Sequence, residues 1–399
     1  MTPQKPIEGH GMSPSVSTAK ELLARLVAFD TTSHKTNIPL IDFVEAYLAK
    51  HGVKSHRVPT PDGLKASLLA TIGPKNGGGL ALSGHTDVVP VAGQTWDTDP
   101  FSLVERDGKL YGRGTCDMKG YLACALAMVP DLEARKLKMP FHLAFSYDEE
   151  VGCTGVRPMI SELGKTLPRP RMVFVGEPSN MTVIDAHKGP VRWRVELTGR
   201  AAHSSMPHYG VNAIAYAARL IGELLRMEEE LKASTRNPRF DPPWTTMQIT
   251  QIQGGTASNV VPVPCWFGWE TRALPGFDPM TLERRLKAFA VEKCLPEMQR
   301  VAPEADIKIM ATQRVPAYAA DTESGTRWVA MTLKLAGQNE TLAVSYCTEA
   351  GLFEDGGAPA IICGPGDIAQ AHTANEFVAV TELEKCLAFL ARLADWAEA

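Results

Sequence analysis

Five short segments of the chain carry histidine or carboxylate side chains of the kinds that bind divalent metal ions. They are SGHTDVVP, GRGTCDMKG, SYDEEVG, FVGEPS and QAHTANEF. We expect each candidate ligand to lie at the end of a strand, and ligands of open α/β sheets bind beyond the carboxyl ends of the strands. The sequence therefore predicts one metal centre at that edge of a sheet. Its candidate ligands are His85, Asp117, the pair Glu149 and Glu150, Glu177 and His372.

His85 and Asp87 form an H-x-D pair in the first of these segments. At a spacing of two, both side chains can lie on one face of an extended strand. This suits a histidine that binds metal through one ring nitrogen while a carboxylate holds the other nitrogen and fixes the tautomer. A solvated or capping pair would have the same sequence, so the pair alone leaves both interpretations open.

The other candidates also have structural alternatives. Asp117 precedes a helical pattern, MKGYLACALAM, and Asp is among the preferred N-cap residues. Glu149 and Glu150 end an apolar run, where two carboxylates repel each other and lose hydration unless cations are near; a solvated loop would remove that cost. Glu177 also ends an apolar run, and His372 lies in a polar loop where a surface histidine is common.

The candidates are more informative as a set. A two-metal hydrolase needs histidine and carboxylate ligands, a carboxylate shared between the metals and a free carboxylate as base. Two Zn²⁺ ions against the three carboxylates of Asp117, Glu150 and Glu177 leave one positive charge, which a hydroxide neutralises. The set therefore favours a balanced two-metal centre with a spare glutamate beside it.

The elements that must position these residues follow from the apolar pattern. The runs SLLATIG, GLALSGH, HLAFSYD and MVFVGE are typical of buried strands, and helical patterns at 118–135 and 155–165 lie between some of them. Buried strands that alternate with helices indicate an α/β fold with a mainly parallel sheet flanked by helices.

The middle of the chain has a different pattern. VRWRVELTGR, TTMQITQIQGG and CWFGWETRAL alternate as half-solvated antiparallel strands do, with helical patterns between them and a last strand at 305–311. The order β-α-β-β-α-β is typical of a small α+β sandwich. We therefore predict a separate domain at 189–312, inserted into a larger domain that 1–188 and 313–399 form together.

Composition excludes several classes of protein. The 399 residues carry a formal net charge of -4, without the basic footprint of a nucleic-acid binder or the polybasic patch of a membrane-surface protein. No apolar stretch has the length of a membrane span, and the N-terminal residues lack a signal-peptide core. The eight cysteines include no CxxC pair, so we expect reduced thiols and a cytoplasmic location.

The segments SGHTDVVP, GRGTCDMKG, DEEVG and GEPS resemble those of the zinc-dependent aminoacylase and carboxypeptidase family of metallopeptidases. The resemblance covers nearly the whole chain, in order. The stretch YCTEAGLFEDGGAPAIICGPGDIAQAHTANEF is most similar to the C-terminal signature of the acetylornithine deacetylase branch of that family.

The resemblance implies two overlapping sets of metal ligands. His85, Asp117 and Glu177 would bind one Zn²⁺ ion, while Asp117, Glu150 and His372 would bind the other, with Co²⁺ as a possible replacement because it accepts the same ligands. Asp117 would bridge the two ions.

The resemblance also implies two catalytic residues and one feature of the backbone. Asp87 would hold and tune His85, and Glu149 would act as general acid/base. The peptide bond between Asp117 and Met118 would be cis.

The inserted domain would act as a lid and as a dimerisation surface, so the resemblance implies a homodimer. In it, His203 would steady the developing oxyanion, and Asn259 and Arg272 would contact the substrate. The alternatives are that His203 is a partner in a turn with its neighbouring serines and that Arg272 forms a surface salt bridge.

The implied reaction is hydrolysis of N²-acetyl-L-ornithine to L-ornithine and acetate in arginine biosynthesis, by attack of a metal-bridging hydroxide. Succinyl-diaminopimelate desuccinylase, a broader N-acyl-amino-acid hydrolase and a dipeptidase are alternatives with the same chemistry. A non-catalytic binder of acylated amino acids is disfavoured because no ligand or base position has been lost. A cysteine nucleophile at Cys116 or Cys153 is disfavoured because neither has a histidine at a recognisable spacing.

Overall fold

The computed structural model describes residues 15–75, 77–234 and 236–399 of the chain. The first of its two units contains the described residues up to Asp185, together with Ala320–Leu342 and Thr348–Ala399. The second unit contains Ala186–Ala319 and Ala343–Cys347. The segments 186–188, 313–319 and 343–347, for which the sequence pattern predicted a place in the larger domain, lie in the second unit.

The helices and strands are numbered along the chain. The helices are α1 (Val16–Val27), α2 (Ile38–Lys50), α3 (Gly120–Ala127), α4 (Val129–Ala134), α5 (Val156–Ser161), α6 (Ala213–Ala233), α7 (Met280–Phe289), α8 (Leu295–Val301), α9 (Glu323–Ala336), α10 (Ala350–Asp355) and α11 (Val380–Glu398). A kinked turn occupies Thr115–Lys119 and a π-helical turn occupies Ala290–Cys294, while 3₁₀ turns occupy Pro207–Tyr209 and Ile368–Gln370. The strands are β1 (Ser55–Pro59), β2 (Ala66–Ile72), β3 (Leu80–His85), β4 (Val104–Arg106), β5 (Lys109–Tyr111), β6 (Phe141–Ser146), β7 (Met172–Pro178), β8 (Ile184–His187), β9 (Gly189–Thr198), β10 (Thr246–Gly254), β11 (Pro264–Ala273), β12 (Asp306–Arg314), β13 (Tyr318–Ala319), β14 (Leu342–Val344), β15 (Ala360–Gly364) and β16 (Phe377–Ala379).

The main sheet of the first unit confirms the predicted α/β class. Its strands follow the order β1-β2-β6-β3-β7-β15, and β6, β3, β7 and β15 are parallel to one another. β1 and β2 extend one edge in antiparallel pairing. Every residue of β3, β6 and β7 is buried, as expected for parallel strands that are covered on both faces. Among the described residues, no helix has the length and apolar character needed to span a membrane.

Helix α3 is the central helix of the first unit. Its sequence, GYLACALA, is rich in small residues, and all eight residues are buried. It contacts α1 on one side and α11 on another, and it also contacts β3 and β7. The residues that immediately precede α3 are therefore held against the ends of those two strands.

A small three-stranded sheet in the first unit was missing from the sequence prediction. Its order is β16-β5-β4, with Phe377 opposite Tyr111. Each of its strands has only three residues. The pairing brings the segment that follows His372 beside the segment that precedes Asp117.

The second unit has the predicted order β-α-β-β-α-β, with its antiparallel sheet arranged β10-β11-β9-β12. In β9 the apolar residues at alternate positions are buried, while Arg192 is exposed. The buried face packs on α6, α7 and α8. At its centre Trp193 and Trp269 stack with ring centroids 3.9 Å apart. This unit is the α+β sandwich that the alternating pattern indicates.

Candidate active site

Three neighbouring parallel strands bring candidate ligands together. His85 is the last residue of β3 and lies opposite Ser146, the last residue of β6. Glu149 and Glu150 lie three and four residues after the end of β6, while Glu177 lies near the end of β7 on the other side of β3. His85 Nε2 lies 3.8 Å from Glu177 Oε1. The adjacent strand ends therefore explain why segments distant in sequence share one site.

Asp117 lies between the two histidines. It belongs to the kinked turn Thr115–Lys119 before α3, and its own backbone is non-helical, with φ -120° and ψ 93°. Its Oδ1 is 3.0 Å from His85 Nε2, and its Oδ2 is 3.3 Å from His372 Nε2. His372 Nε2 is also 2.9 Å from Glu150 Oε2. Each oxygen of the Asp117 carboxylate thus faces a different imidazole, which is the arrangement of a ligand shared by two metal ions.

A glycine precedes the ligand on each of two strands because the α3 region packs directly against the backbone there. A Cβ on Gly84 would lie 2.5 Å from the Met118 side chain, and a Cβ on Gly176 would lie 2.0 Å from the Tyr121 ring. Any larger residue would collide with these side chains. The G-H and G-E pairs of the sequence therefore allow the close approach that places Asp117 beside the strand ends.

The contacts of the two histidines with carboxylates raise their pKa values. Hydrogen bonds with Asp117 and Glu150 raise the pKa of His372 to about 10. Burial acts to lower the pKa of His85, but Asp117 and Asp87 together raise it well above its usual value. The pKa of Asp117 is lowered, although it is buried, because both histidines stabilise its charged form.

Glu150 and Glu177 have the opposite shift. Burial, with the nearby charge of Asp117, raises the pKa of Glu150 to about 7 and that of Glu177 well above its usual value. Glu150 Oε1 is buried and has no hydrogen-bond partner among the described residues. A buried carboxylate oxygen without a donor is costly unless a cation is present.

The donor set fits divalent cations. His85, Asp117 and Glu150 can bring one ligand atom each within 4.8 Å of one another, and so can His85, Glu149 and Glu177. Imidazole and carboxylate are common zinc ligands. Bound cations would interact with the unpaired oxygen of Glu150 and would offset the negative charge of the neighbouring carboxylates.

The hydrogen-bond partners of the Asp87 carboxylate differ from those that the sequence predicts. The main-chain carbonyl of Asp87, at 2.9 Å, is the hydrogen-bond partner of His85 Nδ1, and the carboxylate Oδ1 lies farther away at 3.6 Å. The carboxylate accepts hydrogen bonds from the main-chain N–H groups of Glu149 at 3.1 Å and Glu150 at 3.4 Å, and from Ser33 Oγ at 2.7 Å. Asp87 therefore orients both glutamates as well as His85.

Glu149 is half-buried beside the ligands. Its Oε1 accepts a hydrogen bond from Cys153 Sγ at 3.2 Å. The buried Cys153 thiol thus acts as a donor to Glu149. Burial raises the pKa of the other thiol near the site, Cys116. A protonated thiol is a poor nucleophile, which argues against cysteine chemistry here.

The peptide bond between Asp117 and Met118 is cis, as expected.

The other predicted substrate residues belong to the second unit. Within it, His203 and Asn259 lie on adjoining segments, since Ser204 N donates to the carbonyl of Asn259 at 3.0 Å. His203 Nδ1 lies 2.7 Å from Ser205 Oγ and accepts from Ser205 N at 3.3 Å. His203 thus makes the contact with a neighbouring serine that was the alternative to a role in binding substrate. Because Nδ1 accepts a hydrogen bond, Nε2 is the ring nitrogen that carries the proton. Arg272 lies on β11 with its Nε 3.4 Å from Glu270 Oε1.

Two further buried glutamates adjoin the site and were not assigned roles from the sequence. Glu349 accepts a hydrogen bond from Ser146 Oγ at 2.6 Å, and its other oxygen has no partner among the described residues. Burial raises the pKa of Glu349 to about 7. Glu376 contacts the main chain around Asp117. The one sequence signal for these residues is their position within the same C-terminal signature as His372.

Residues 81–396 match peptidase family M20/M25/M40. The chain belongs to this family. The match confirms the metallopeptidase resemblance of the sequence, and the chain is accordingly a metal-dependent hydrolase that acts on an amide bond.

Two relatives of this M20 hydrolase are similar over almost their whole length. A protein of Myxococcus xanthus named acetylornithine deacetylase is 38% identical over 386 residues, covering 96% of this chain and 98% of that protein. An acetylornithine deacetylase of Yersinia pseudotuberculosis is 35% identical over 391 residues, covering 96% and 97%.

Solved structures share the fold at lower identity. A tripeptidase of Staphylococcus aureus has a TM-score of 0.74 at 18% identity and covers 97% of this chain and 100% of its own. A dinuclear metal-binding peptidase of the M20 family from Bacillus subtilis has a TM-score of 0.68 at 15% identity and covers 95% and 97%.

Proposed function

We propose that this M20 hydrolase removes the acetyl group from N²-acetyl-L-ornithine and releases L-ornithine and acetate, a step of arginine biosynthesis. The Asp117 carboxylate, shared between His85 and His372 with Glu149 beside it, is the observation that supports amide hydrolysis. The relatives named acetylornithine deacetylase, at 38% and 35% identity over nearly the whole chain, support the choice of substrate.

Two divalent cations, Zn²⁺ or Co²⁺, would complete the site. His85, Asp117 and Glu177 would hold one ion. Asp117, Glu150 and His372 would hold the other, and the peptidase of Bacillus subtilis, a relative by fold, is described as dinuclear. When bound, the two ions would polarise the amide carbonyl and lower the pKa of the attacking water.

Glu149 would move the proton. It is half-buried, so that it can face both the site and an incoming substrate. As general base it would take a proton from the attacking water, and as general acid it would give that proton to the departing α-amine. Asp87 would fix the direction of the Glu149 side chain through the main-chain N–H that it accepts at 3.1 Å.

Residues of the second unit would bind the substrate. Nε2 of His203 can donate a hydrogen bond to the developing oxyanion, because Nδ1 already accepts one from Ser205 N. Asn259, on the adjoining segment, would contact the substrate as well. Arg272 would bind the α-carboxylate, for which a planar guanidinium is suited.

The second unit would also serve as a lid and pair two copies of the chain. Its strand β10 forms one edge of the four-stranded sheet, and the residues of β10 from Thr250 onward are exposed. Ile252 in that strand has 56% of its surface exposed. An exposed edge strand with an apolar side chain is suited to pairing with another chain, and light scattering of the purified protein tests for a homodimer.

A hydrolysis assay across several substrates tests the proposed function. Chelator-treated protein, reconstituted with Zn²⁺ or Co²⁺, would be given N²-acetyl-L-ornithine, N-acetyl-L-methionine, N-succinyl-L,L-diaminopimelate and a dipeptide. We expect the highest kcat/KM on acetylornithine and no turnover before metal is restored. Preference for another substrate in the panel would replace the proposed substrate, and full activity of the metal-free protein would refute the mechanism.

A further inference from the structure

The carboxylate of Glu376 is enclosed by donors from the segment that carries Asp117. It accepts hydrogen bonds from the main-chain N–H groups of Gly114 at 3.0 Å, Cys116 at 2.9 Å and Asp117 at 3.1 Å. It also accepts one from Arg113 Nη1 at 2.8 Å. The residue has no exposed surface.

The same network holds the loop that carries His372. Glu376 lies four positions after His372 in that loop. Arg113 donates to the carbonyl of Thr373 at 3.1 Å, and Gln94 Nε2 donates to the carbonyl of His372 at 2.7 Å. Arg113 Nη2 and Gln94 Oε1, 2.5 Å apart, join these two anchors.

The loop needs such anchors for two reasons. His372 has a φ of 63° and Asn375 a φ of 55°, a left-handed backbone region that non-glycine residues adopt at a cost. The His372 side chain is 56% exposed, so that packing alone does not hold it. A conformation of this kind persists only when surrounding contacts determine it.

We infer that Glu376 is a positioning residue that sets the spacing between Asp117 and His372, and through it the geometry of the metal site that they share with Glu150. This inference rests on the proposed function. Three of the four donors to Glu376 are main-chain groups of the Asp117 segment. A change in its side chain is therefore transmitted to the ligand.

The main test compares Glu376→Asp with Glu376→Gln. Glu376→Asp keeps the negative charge next to Arg113, but its shorter side chain cannot reach all four donors. Glu376→Gln keeps the length, but it places an NH₂ group against main-chain N–H donors. Glu382→Gln is the matched control, because that buried glutamate accepts from Gly366 N at 3.2 Å and from Lys385 Nζ at 2.6 Å, and neither donor belongs to a ligand segment.

Metal-free protein of each variant would be titrated with Co²⁺ against a chromophoric chelator, and its visible spectrum and thermal unfolding recorded. Removal of groups that orient metal ligands typically weakens metal affinity about 10–100-fold. We expect Glu376→Asp to unfold cooperatively and to bind one of two Co²⁺ ions about 10–100-fold more weakly, with a changed spectrum. We expect the control to match the parent protein.

Parental affinity and a parental spectrum in Glu376→Asp would overturn the inference. Loss of folding in both Glu376 variants would also count against the inference, because the carboxylate would then stabilise the whole fold and would not specifically position the metal ligands. A parent protein that binds fewer than two ions would instead overturn the proposed two-metal function, and this inference with it.

Discussion

Oδ2 of Asp117 lies 3.3 Å from Nε2 of His372, although the second unit's sequence separates the two residues along the chain. The other oxygen of the same carboxylate faces His85 at 3.0 Å. Both contacts depend on the turn before α3, which is held against the strand ends by the packing around Gly84. The single carboxylate thus links the two halves of the proposed metal centre.

Because Asp117 would be shared by both metal sites, the isosteric variants Asp117→Asn and Glu177→Gln should differ in their effect on metal binding. Asp117→Asn replaces one of the two oxygens by a donor and should weaken both metal sites. Glu177→Gln should weaken only the site that includes His85. At each weakened site we expect the metal affinity to fall by more than the roughly 100-fold that is typical for groups that merely orient a ligand. Metal content after dialysis, measured by atomic absorption, distinguishes the two variants; equal retention of metal would contradict a bridging role.

Glu149 should be needed for turnover but not for metal binding. General acid–base groups typically contribute about 10²–10⁴-fold to the rate. Glu149→Gln or Glu149→Ala should therefore bind two ions with parental affinity and lose about that factor in kcat. Glu162→Gln, at a partly exposed glutamate of the same unit, is the control. A Glu149 variant with turnover within tenfold of the parent would assign the proton transfer to another group.

Asp87 should affect catalysis through the glutamate pair. In Asp87→Asn only one side-chain oxygen remains to accept the hydrogen bonds of Glu149 N, Glu150 N and Ser33 Oγ. We expect kcat to fall about 10–100-fold. Ser33→Ala, which removes one donor and leaves both main-chain contacts, should have a smaller effect. If the two variants have the same kcat, the contact with the glutamates is unimportant.

The parts of the fold that strong periodicity predicts were found. The β-α-β-β-α-β order of the second unit follows from alternating strands such as β9, in which every second residue from Val191 to Leu197 is buried. The main parallel sheet follows from apolar runs that remain buried on both faces. Both patterns are local properties of a segment, and for that reason the sequence contains them.

Features that depend on contacts between distant segments could not be predicted in the same way. The three-stranded sheet has strands of three residues, too short for a periodic signal. The main-chain contact of Asp87 with His85 has no side-chain signature. The Arg113–Glu376 ion pair joins positions far apart in sequence. Each of these contacts forms only when the folded chain brings distant segments together.

Gly176 should tolerate no side chain. A Cβ there would lie 2.0 Å from the Tyr121 ring, and overpacking a core typically costs about 1–3 kcal/mol. Gly176→Ala should therefore lower the free energy of unfolding by at least that amount and displace the adjacent Glu177. Gly222→Ala is the matched control: Gly222 lies within α6, where a Cβ would meet nothing within 4 Å. Because alanine favours the helix, the control should gain about 0.5–1 kcal/mol. Urea denaturation measures both, and a neutral Gly176→Ala would contradict the packing.

The buried imidazole of His142 should make the protein less stable in acid. This histidine is buried in β6, with Nδ1 3.0 Å from Thr71 Oγ1 and no partner for Nε2 among the described residues. Burial lowers the pKa of His142 to about 4 from an ordinary value of 6.5. Between these values the unfolded chain binds a proton that the folded protein does not. The stability contributed by the neutral ring is therefore present above pH 6.5 and is lost as the pH falls towards 4.

At about 1.4 kcal/mol per pKa unit, the loss attributable to His142 is on the order of 3 kcal/mol. His142→Gln should remove this part of the pH dependence, so that the difference in unfolding free energy between variant and parent narrows as the pH is lowered from 7 to 4. His56→Gln, which removes an exposed imidazole on β1, is the control. Urea unfolding at several pH values measures how the free energy of unfolding of each protein depends on pH. A constant difference in this free energy between His142→Gln and the parent across this range would show that the ring is not kept neutral in the folded protein.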